Sequence, residues 1–267
     1  MIELIFIFIF GLIMGSFLNC VVWRLYKEES FLFGKSYCPH CRHDLNVLDL
    51  FPLLSYVFLG GKCRYCKKKI SIQYPLVELL TATLFSLVYL HFGPVTGLFS
   101  FNFFQVGFWL IITSFLIIIF IFDLKYYIIP DEVIYPAIII SMLWIFYSLY
   151  SGLIGRTDFI YFIFSALGAS LFFFLIWFFS KGMAMGFGDV KLAILIGLLL
   201  GYPNIIVGLF LGFLFGAIIG SVLILLKKRG LKSEIPFGPF LLVGMLITLF
   251  FGERIINWYL SLNFYHG

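Results

Sequence analysis

Four cysteines stand in two CxxC pairs that a polar stretch of chain separates. The pairs are Cys38 with Cys41 and Cys63 with Cys66. Each pair can place two sulfurs on one tight turn, and two such turns offer the four thiolates that Zn²⁺ binds tetrahedrally. Because four thiolates leave no open coordination position, we predict a structural zinc site. Two disulfides, free thiols, or His40 and His43 as substitute ligands are the alternatives.

Two aspartates border long apolar runs, where acidic residues are costly and usually functional. Asp123 follows an apolar run that begins at Leu110, and Asp189 closes the sequence Gly-Phe-Gly-Asp. Two aspartates can share one proton, one acting as base toward water and the other as acid toward a carbonyl. The pair could therefore hydrolyse an amide bond. Alternatively, the two aspartates cap their helices or pair with Lys125 and Lys191.

A third acid, Glu78, lies inside another apolar run near its polar end. We expect Glu78 to orient a site residue or an incoming amine, or else to pair with a nearby lysine. Asp131 and Glu132 follow Pro130 and are expected to complement the positive end of a helix dipole.

The composition indicates that a bilayer surrounds most of these residues. The chain has 267 residues, of which 63% are hydrophobic and 12% charged, whereas soluble domains average roughly 25% charged residues. Its mean hydropathy is +1.10. A membrane-spanning helix needs about 20 apolar residues. Candidate runs are 2–22, 73–92, 101–122, 132–151, 159–180 and 204–226, with shorter ones at 190–202 and 237–252. We predict an all-α polytopic membrane protein with about eight spanning helices.

The basic residues predict the orientation of these helices. If the polar insertion 24–71 is cytosolic, alternating spans place every Lys and Arg except Arg156 and Arg254 on the cytosolic side, including those at 227–232. Asp123 and Asp189 then share that side. The positive charge is thus explained by topology, and no nucleic-acid partner is expected.

This organisation predicts three parts of the chain. Residues 1–23 form a first transmembrane helix, 24–71 a zinc-binding insertion, and 72–267 the membrane core that carries the aspartates. The run 190–202 would be roughly 20 Å long as a helix, against a hydrocarbon core of about 30 Å. Asp189 should therefore be recessed below the membrane surface, or the bilayer should thin beside it.

Several motifs resemble, in the same order, those of the bacterial type IV prepilin peptidase family, whose members are membrane aspartyl proteases of the GxGD type. They are GSFLN at 15–19, the CxxC pairs, GGKC at 60–63, ISIQYPLVELL at 70–80, DLK at 123–125, IPD at 129–131 and GFGD at 186–189. The resemblance covers nearly the whole chain. Cys20 and Phe51-Pro52 depart from the residues expected at those positions, and neither departure touches the proposed chemistry.

The resemblance implies a bifunctional enzyme of the cytoplasmic (inner) membrane. Such an enzyme removes the short leader from prepilins or pseudopilins, whose mature part begins with a hydrophobic helix. It then methylates the new N-terminus with S-adenosylmethionine. By motif position, Asp123 and Asp189 match the catalytic aspartates, and Gly61 and Lys62 match positions implicated in methylation. The resemblance alone supplies the methyltransferase prediction.

Two rival functions remain open at this stage. One is a leader peptidase without methylation. The other is a polytopic scaffold or transporter that uses its acids as ion relays, although carriers usually bind charge near mid-membrane between repeats, and no repeat is evident here. A further hypothesis is that acids of the polar insertion bind a basic leader. These acids are Glu28, Glu29, Asp44 and Asp49.

Overall fold

The computed structural model describes residues 2–30, 34–93, 101–183, 185–226 and 235–264. Over these ranges the regular secondary structure is helical, apart from two isolated bridges, Tyr37 with Asp44 and Lys62 with Lys69. The predicted all-α fold is therefore confirmed. The basic segment 227–232 lies outside the described residues.

The nine α-helices of the described ranges follow one another along the chain. They are α1 (Ile2–Tyr26), α2 (Leu54–Phe58), α3 (Gln73–Phe92), α4 (Phe101–Tyr126), α5 (Asp131–Tyr150), α6 (Arg156–Phe179), α7 (Phe187–Leu200), α8 (Asn204–Leu225) and α9 (Gly238–Phe264). A 3₁₀ turn at Val47–Asp49 precedes α2.

Seven of these described helices are long and apolar enough to cross a bilayer, all except α2 and α7. The predicted run 237–252 is only part of α9, which has 27 residues. The predicted run 190–202 corresponds to α7, which begins earlier, at Phe187, and has 14 residues. Asp189 is therefore the third residue of α7 and does not precede the helix.

The chain divides into two compact units, Met1–Ile118 and Ile119–Gly267. In the first unit, α1 packs against α3 through glycines. A Cβ on Gly11 would lie 2.5 Å from Cα of Ala82, and one on Gly15 would lie 2.6 Å from Cα of Glu78. Small residues permit this close approach of two membrane helices. The contact sets Glu78 against the GSFLN segment of α1.

The second unit is organised around α7, which contacts α5, α6, α8 and α9. Ten of its fourteen residues are buried. Gly197 lets α7 lie against Ala166 of α6, and Gly244 lets α9 lie against Gly208 of α8. A short helix surrounded in this way has a fixed position, and so does the aspartate in its first turn.

Candidate active site and metal centre

Two buried aspartates come together in the second unit. Asp123 lies three residues before the end of α4, and Asp189 lies in the first turn of α7. Their exposed fractions are 6% and 8%. The side chain of Leu192, one turn beyond Asp189 in α7, and Oδ2 of Asp123 lie around the same point, 3.5 Å and 2.5 Å from a Cβ built on Gly238. Two carboxylates on neighbouring helix ends are the arrangement that two-aspartate hydrolysis needs.

The glycines of the GFGD motif explain how Asp189 is placed. Gly186 is the extended N-cap of α7. A Cβ on Gly188 would lie 3.1 Å from Cβ of Ile129, which immediately precedes Pro130 and α5. Gly188 therefore lets the start of α7 lie against the segment that follows Asp123 along the chain, so the two motifs meet.

Gly238, the first residue of α9, was not identified from the sequence. A Cβ at this position would lie 2.5 Å from Oδ2 of Asp123, an oxygen that is buried and accepts no hydrogen bond in the described structure. Only glycine leaves room for the carboxylate there. Pro239 was the available signal for the start of this helix, because proline is favoured in the first helical turn, but nothing in the sequence indicated the approach of Asp123.

The predicted alternative pairing of Asp189 with Lys191 is not what the structure has. Nζ of Lys191 binds the carboxylate of Asp131 and lies 5.0 Å from the ring centre of Tyr135. Lys125 lies 5.2 Å from the ring centre of Tyr126. Across the described residues, neither Asp123 nor Asp189 takes part in an ion pair. The capping alternative stays open for Asp189, since the first turn of a helix favours acids.

The four cysteines of the CxxC pairs form one cluster in the first unit. All their sulfurs lie within 4.8 Å of one another, and Sγ of Cys38 lies 3.9 Å from Sγ of Cys66. A tetrahedral site with metal–sulfur bonds of about 2.3 Å has sulfurs roughly 3.8 Å apart. The cluster fits such an ion. None of its members is in a disulfide, and neither His40 nor His43 belongs to it.

The thiols of this cluster differ in pKa, since that of Cys41 is raised to about 11 by its neighbours. Burial raises the pKa of the Cys63 thiol, but backbone N–H groups of Cys66 and Tyr65 outweigh it and lower that pKa to about 7. Nε of Arg64 donates to Asp49 at 2.6 Å. This ion pair ties the 3₁₀ turn to the second CxxC pair, and burial of Asp49 is outweighed by Arg64, so its pKa falls below the usual range.

The insertion acids proposed to receive a leader are mostly engaged within the insertion. Asp49 binds Arg64, Asp44 lies 3.9 Å from Nζ of Lys35, and Glu29 accepts a hydrogen bond from the hydroxyl of Tyr37. These contacts explain the acids as parts of the insertion's own structure. The leader-binding hypothesis gains no support from them.

Gly61 and Lys62 lie on the hairpin that leads into the second CxxC pair. Gly61 has a φ of +66°, a conformation that favours glycine, and a Cβ there would lie 3.0 Å from the hydroxyl oxygen of Tyr56 in α2. The N–H of Gly61 donates to the carbonyl of Tyr56. Gly61 therefore allows the hairpin that carries Cys63 and Cys66 to pack closely against α2.

Glu78 is buried, with 6% of its surface exposed. Its Oε2 accepts a hydrogen bond of 2.8 Å from the N–H of Leu53, the residue that precedes α2. Its carboxylate also contacts the Ser16 hydroxyl. The alternative of a lysine partner is not seen among the described ion pairs.

These observations define a class: an α-helical multi-pass membrane protein with a buried aspartate pair and a separate four-cysteine cluster. Two family descriptions match the chain. "Bacterial Peptidase A24 N-terminal domain" covers residues 9–92, and "Type IV leader peptidase family" covers residues 110–221.

Curated relatives agree with these matches. The prepilin leader peptidase/N-methyltransferase of Aeromonas hydrophila is 33% identical, with 96% of this chain and 93% of the relative covered. Proteins of the same name from Bacillus subtilis and Pseudomonas aeruginosa are each 32% identical, with 96% and 94% of this chain covered, and 97% and 91% of the relatives. No solved structure matches the chain significantly. The chain belongs to the type IV leader peptidase family.

Proposed function

We propose that this protein cleaves the leader peptide of prepilin-like substrates and methylates the new N-terminus. One observation carries the peptidase part: a chain of the leader peptidase family buries Asp123 and Asp189 at helix ends that pack together through Gly188 and Gly238. Relatives that align along nearly the whole chain are named for both activities. The enzyme's substrates are prepilins or pseudopilins with a short leader and a hydrophobic helix.

We assign cleavage to the aspartate pair. The ionised aspartate takes a proton from water as the oxygen attacks the scissile carbonyl, and the protonated aspartate donates its proton to the carbonyl oxygen. Collapse of the tetrahedral intermediate breaks the C–N bond. The departing nitrogen takes the proton that the first aspartate removed from water, and the second aspartate recovers a proton from a hydroxyl of the intermediate. Both carboxylates are buried, so the attacking water would be separated from bulk solvent.

We assign methylation to the polar insertion 24–71, between the first helix at 1–23 and the peptidase core at 72–267. S-adenosylmethionine, when bound, supplies the methyl group. Gly61 and Lys62 are the positions that the family resemblance connects with this activity. A zinc ion held by the four cysteines would be structural, because the cluster presents four thiolates and no open position.

The protein is proposed to lie in the cytoplasmic (inner) membrane with the aspartates and the cysteine cluster on the cytosolic side. The bias of Lys and Arg supports this orientation. A leader that emerges on the cytosolic side would then meet the aspartates while the hydrophobic helix of the substrate stays in lipid.

Asp123→Asn and Asp189→Asn test the peptidase assignment in detergent or vesicles with a prepilin-like substrate. Each should lower cleavage by at least about 1,000-fold, because neither amide can exchange the shared proton. Asp158→Asn is a matched control, since Asp158 occupies the same position in the first turn of α6 and caps Gly155. Wild-type cleavage by either active-site variant would refute the pair.

Mass spectrometry of the mature substrate's N-terminus tests the second activity. A mass increase of one methyl group, dependent on S-adenosylmethionine, is expected. An unmodified amine would instead support the rival leader peptidase without methylation.

A further inference from the structure

A cavity of about 440 Å³ lies in the first unit, between the second half of α1 and the polar insertion. Ligand sites of small molecules have volumes of roughly 300–1,000 Å³ and apolar walls with a few placed polar groups. This cavity has that character. Its polar lining residues are Ser16, Arg24, Ser36 and Cys20, and its apolar ones include Phe17, Leu50 and Phe51.

One end of the cavity is backed by a carboxylate. Ser16 lines the cavity, and its hydroxyl contacts Glu78, which is itself buried. The Leu53 N–H donates a hydrogen bond to the same carboxylate. A buried carboxylate is costly unless a cation or several donors stabilise it. The arrangement suits a cationic ligand at Ser16.

A positively charged group, the guanidinium of Arg24, lies elsewhere on the same cavity wall. The Arg24 guanidinium is held by the carbonyls of Ser30, Gly34 and Lys35 at 2.9–3.0 Å. The cavity is therefore polarised, with a fixed positive group on α1 and a negative group behind Ser16. A small zwitterion and an amine can both be accommodated without an unpaired charge.

The carboxylate is connected to the region that the family resemblance links with methylation. Glu78 holds Leu53, whose φ of +58° is rare for leucine and persists only where surrounding contacts maintain it. Leu53 immediately precedes α2, and Tyr56 of α2 contacts Gly61. Glu78 and Gly61 thus anchor the two ends of one short helix.

We propose that Ser16 and Glu78 bind the amine that is to be methylated and remove its proton. The inference rests on the proposed N-methylation. Ser16 touches the amine, and Glu78 acts through Ser16. An α-ammonium has a pKa of about 7.7–8.0 and cannot react while protonated.

The proton moves in a relay. The ammonium gives a proton to Oγ of Ser16 as Ser16 gives its own to Glu78. The nitrogen lone pair then forms a bond to the methyl carbon of the sulfonium donor. The carbon–sulfur bond breaks, and its electrons remain on sulfur as a neutral thioether. The methylated product leaves with one positive charge, and Glu78 returns its proton to solvent through Ser16.

The test uses the full-length protein in vesicles with two substrates, an intact prepilin-like peptide and the same peptide synthesised without its leader. Glu78→Gln should methylate the second substrate about 100-fold more slowly at pH 7, the usual effect of losing a general base. Ser16→Ala should lower the rate of methylation of the second substrate at least about tenfold. Both variants should cleave the first substrate at a rate within about twofold of the wild-type rate. Retained cleavage also demonstrates that both variants fold. Glu253→Gln, an exposed acid of α9, is the matched control.

The pH profile separates proton removal from a merely structural role. Methylation by Glu78→Gln should rise about tenfold per pH unit up to roughly pH 8, since only the neutral amine reacts, whereas the wild type should vary less. Glu78→Asp should recover part of the rate.

Wild-type methylation by Glu78→Gln, or a reduced rate with an unchanged pH profile, would overturn the inference. An absence of methylation by the wild type itself would instead refute the proposed second activity, and this inference with it.

Discussion

The cysteine-bearing insertion and the helical core around α7 achieve order in opposite ways. From residue 34 to 71, the buried hydrophobic residues are two cysteines, Cys38 and Cys63. In α7, ten of fourteen residues are buried among four neighbouring helices. The first region lacks the apolar area to fold alone and depends on its cysteine cluster. The second is held by helix packing. A change that disrupts the structure of one region should therefore leave the other region intact.

Removal of the proposed metal should separate the two regions most strongly, by impairing methylation while cleavage is retained. Cys63→Ser, or a strong chelator, should release the proposed zinc ion and lower the proposed methylation at least about 100-fold, because the insertion would lose the site that folds it. Cleavage should change by less than about threefold. Zinc content by atomic emission and the two activity assays measure this.

Cys20→Ser is the control for metal, since Cys20 is outside the cluster and that variant should keep its zinc. Equal loss of both activities in Cys63→Ser would mean that the core also depends on the insertion.

Gly238→Ala should have the opposite result and a smaller effect: cleavage should be impaired and methylation retained. The added methyl would lie 2.5 Å from Oδ2 of Asp123, and a displacement of about 1 Å can cost roughly 100-fold in rate. Cleavage should fall about 10- to 100-fold, while methylation of a substrate made without its leader stays unchanged. Gel mobility of the cleaved substrate measures the first quantity.

Gly168→Ala is the control for Gly238→Ala, because a Cβ on Gly168 would meet nothing within 4 Å. Full cleavage by Gly238→Ala would show that the carboxylate of Asp123 does not need its present position.

Asp49→Asn should have the smallest effect. It weakens the hydrogen bond from Arg64 that supports the second CxxC pair, and groups that support metal ligands typically change affinity 10- to 100-fold. Zinc affinity by competition with a chelator should fall about tenfold, methylation about two- to fivefold, and cleavage not at all.

Asp44→Asn serves as the comparison for Asp49→Asn, since its ion pair with Lys35 is 3.9 Å long and exposed. If both variants keep wild-type zinc affinity, the Asp49–Arg64 pair does not stabilise the cluster.

The sequence was most informative where a short motif determines local geometry. The spacing of the CxxC pairs predicted a cluster, and the four sulfurs indeed lie together. The apolar runs predicted the positions of seven long helices. That Asp123 and Asp189 are the catalytic residues stays a prediction, although the structure brings them together.

Contacts between distant segments were not predictable in this way. Lys191 binds Asp131, sixty residues away, and not Asp189 two residues away. Gly238 approaches Asp123 across more than one hundred residues. The end of α9 was misplaced because Glu253 and Arg254 interrupt the apolar run, although charged residues on an exposed helix face do not end a helix.

The short helix α7 also has a consequence for the lipid around the enzyme. At 14 residues it is about 21 Å long, shorter than the acyl region of most bilayers. Its neighbours α5, α6, α8 and α9 are each 20 residues or longer and face the acyl chains in its place. Hydrophobic mismatch therefore acts on those longer helices, and Asp189 can be recessed without any local thinning of the membrane.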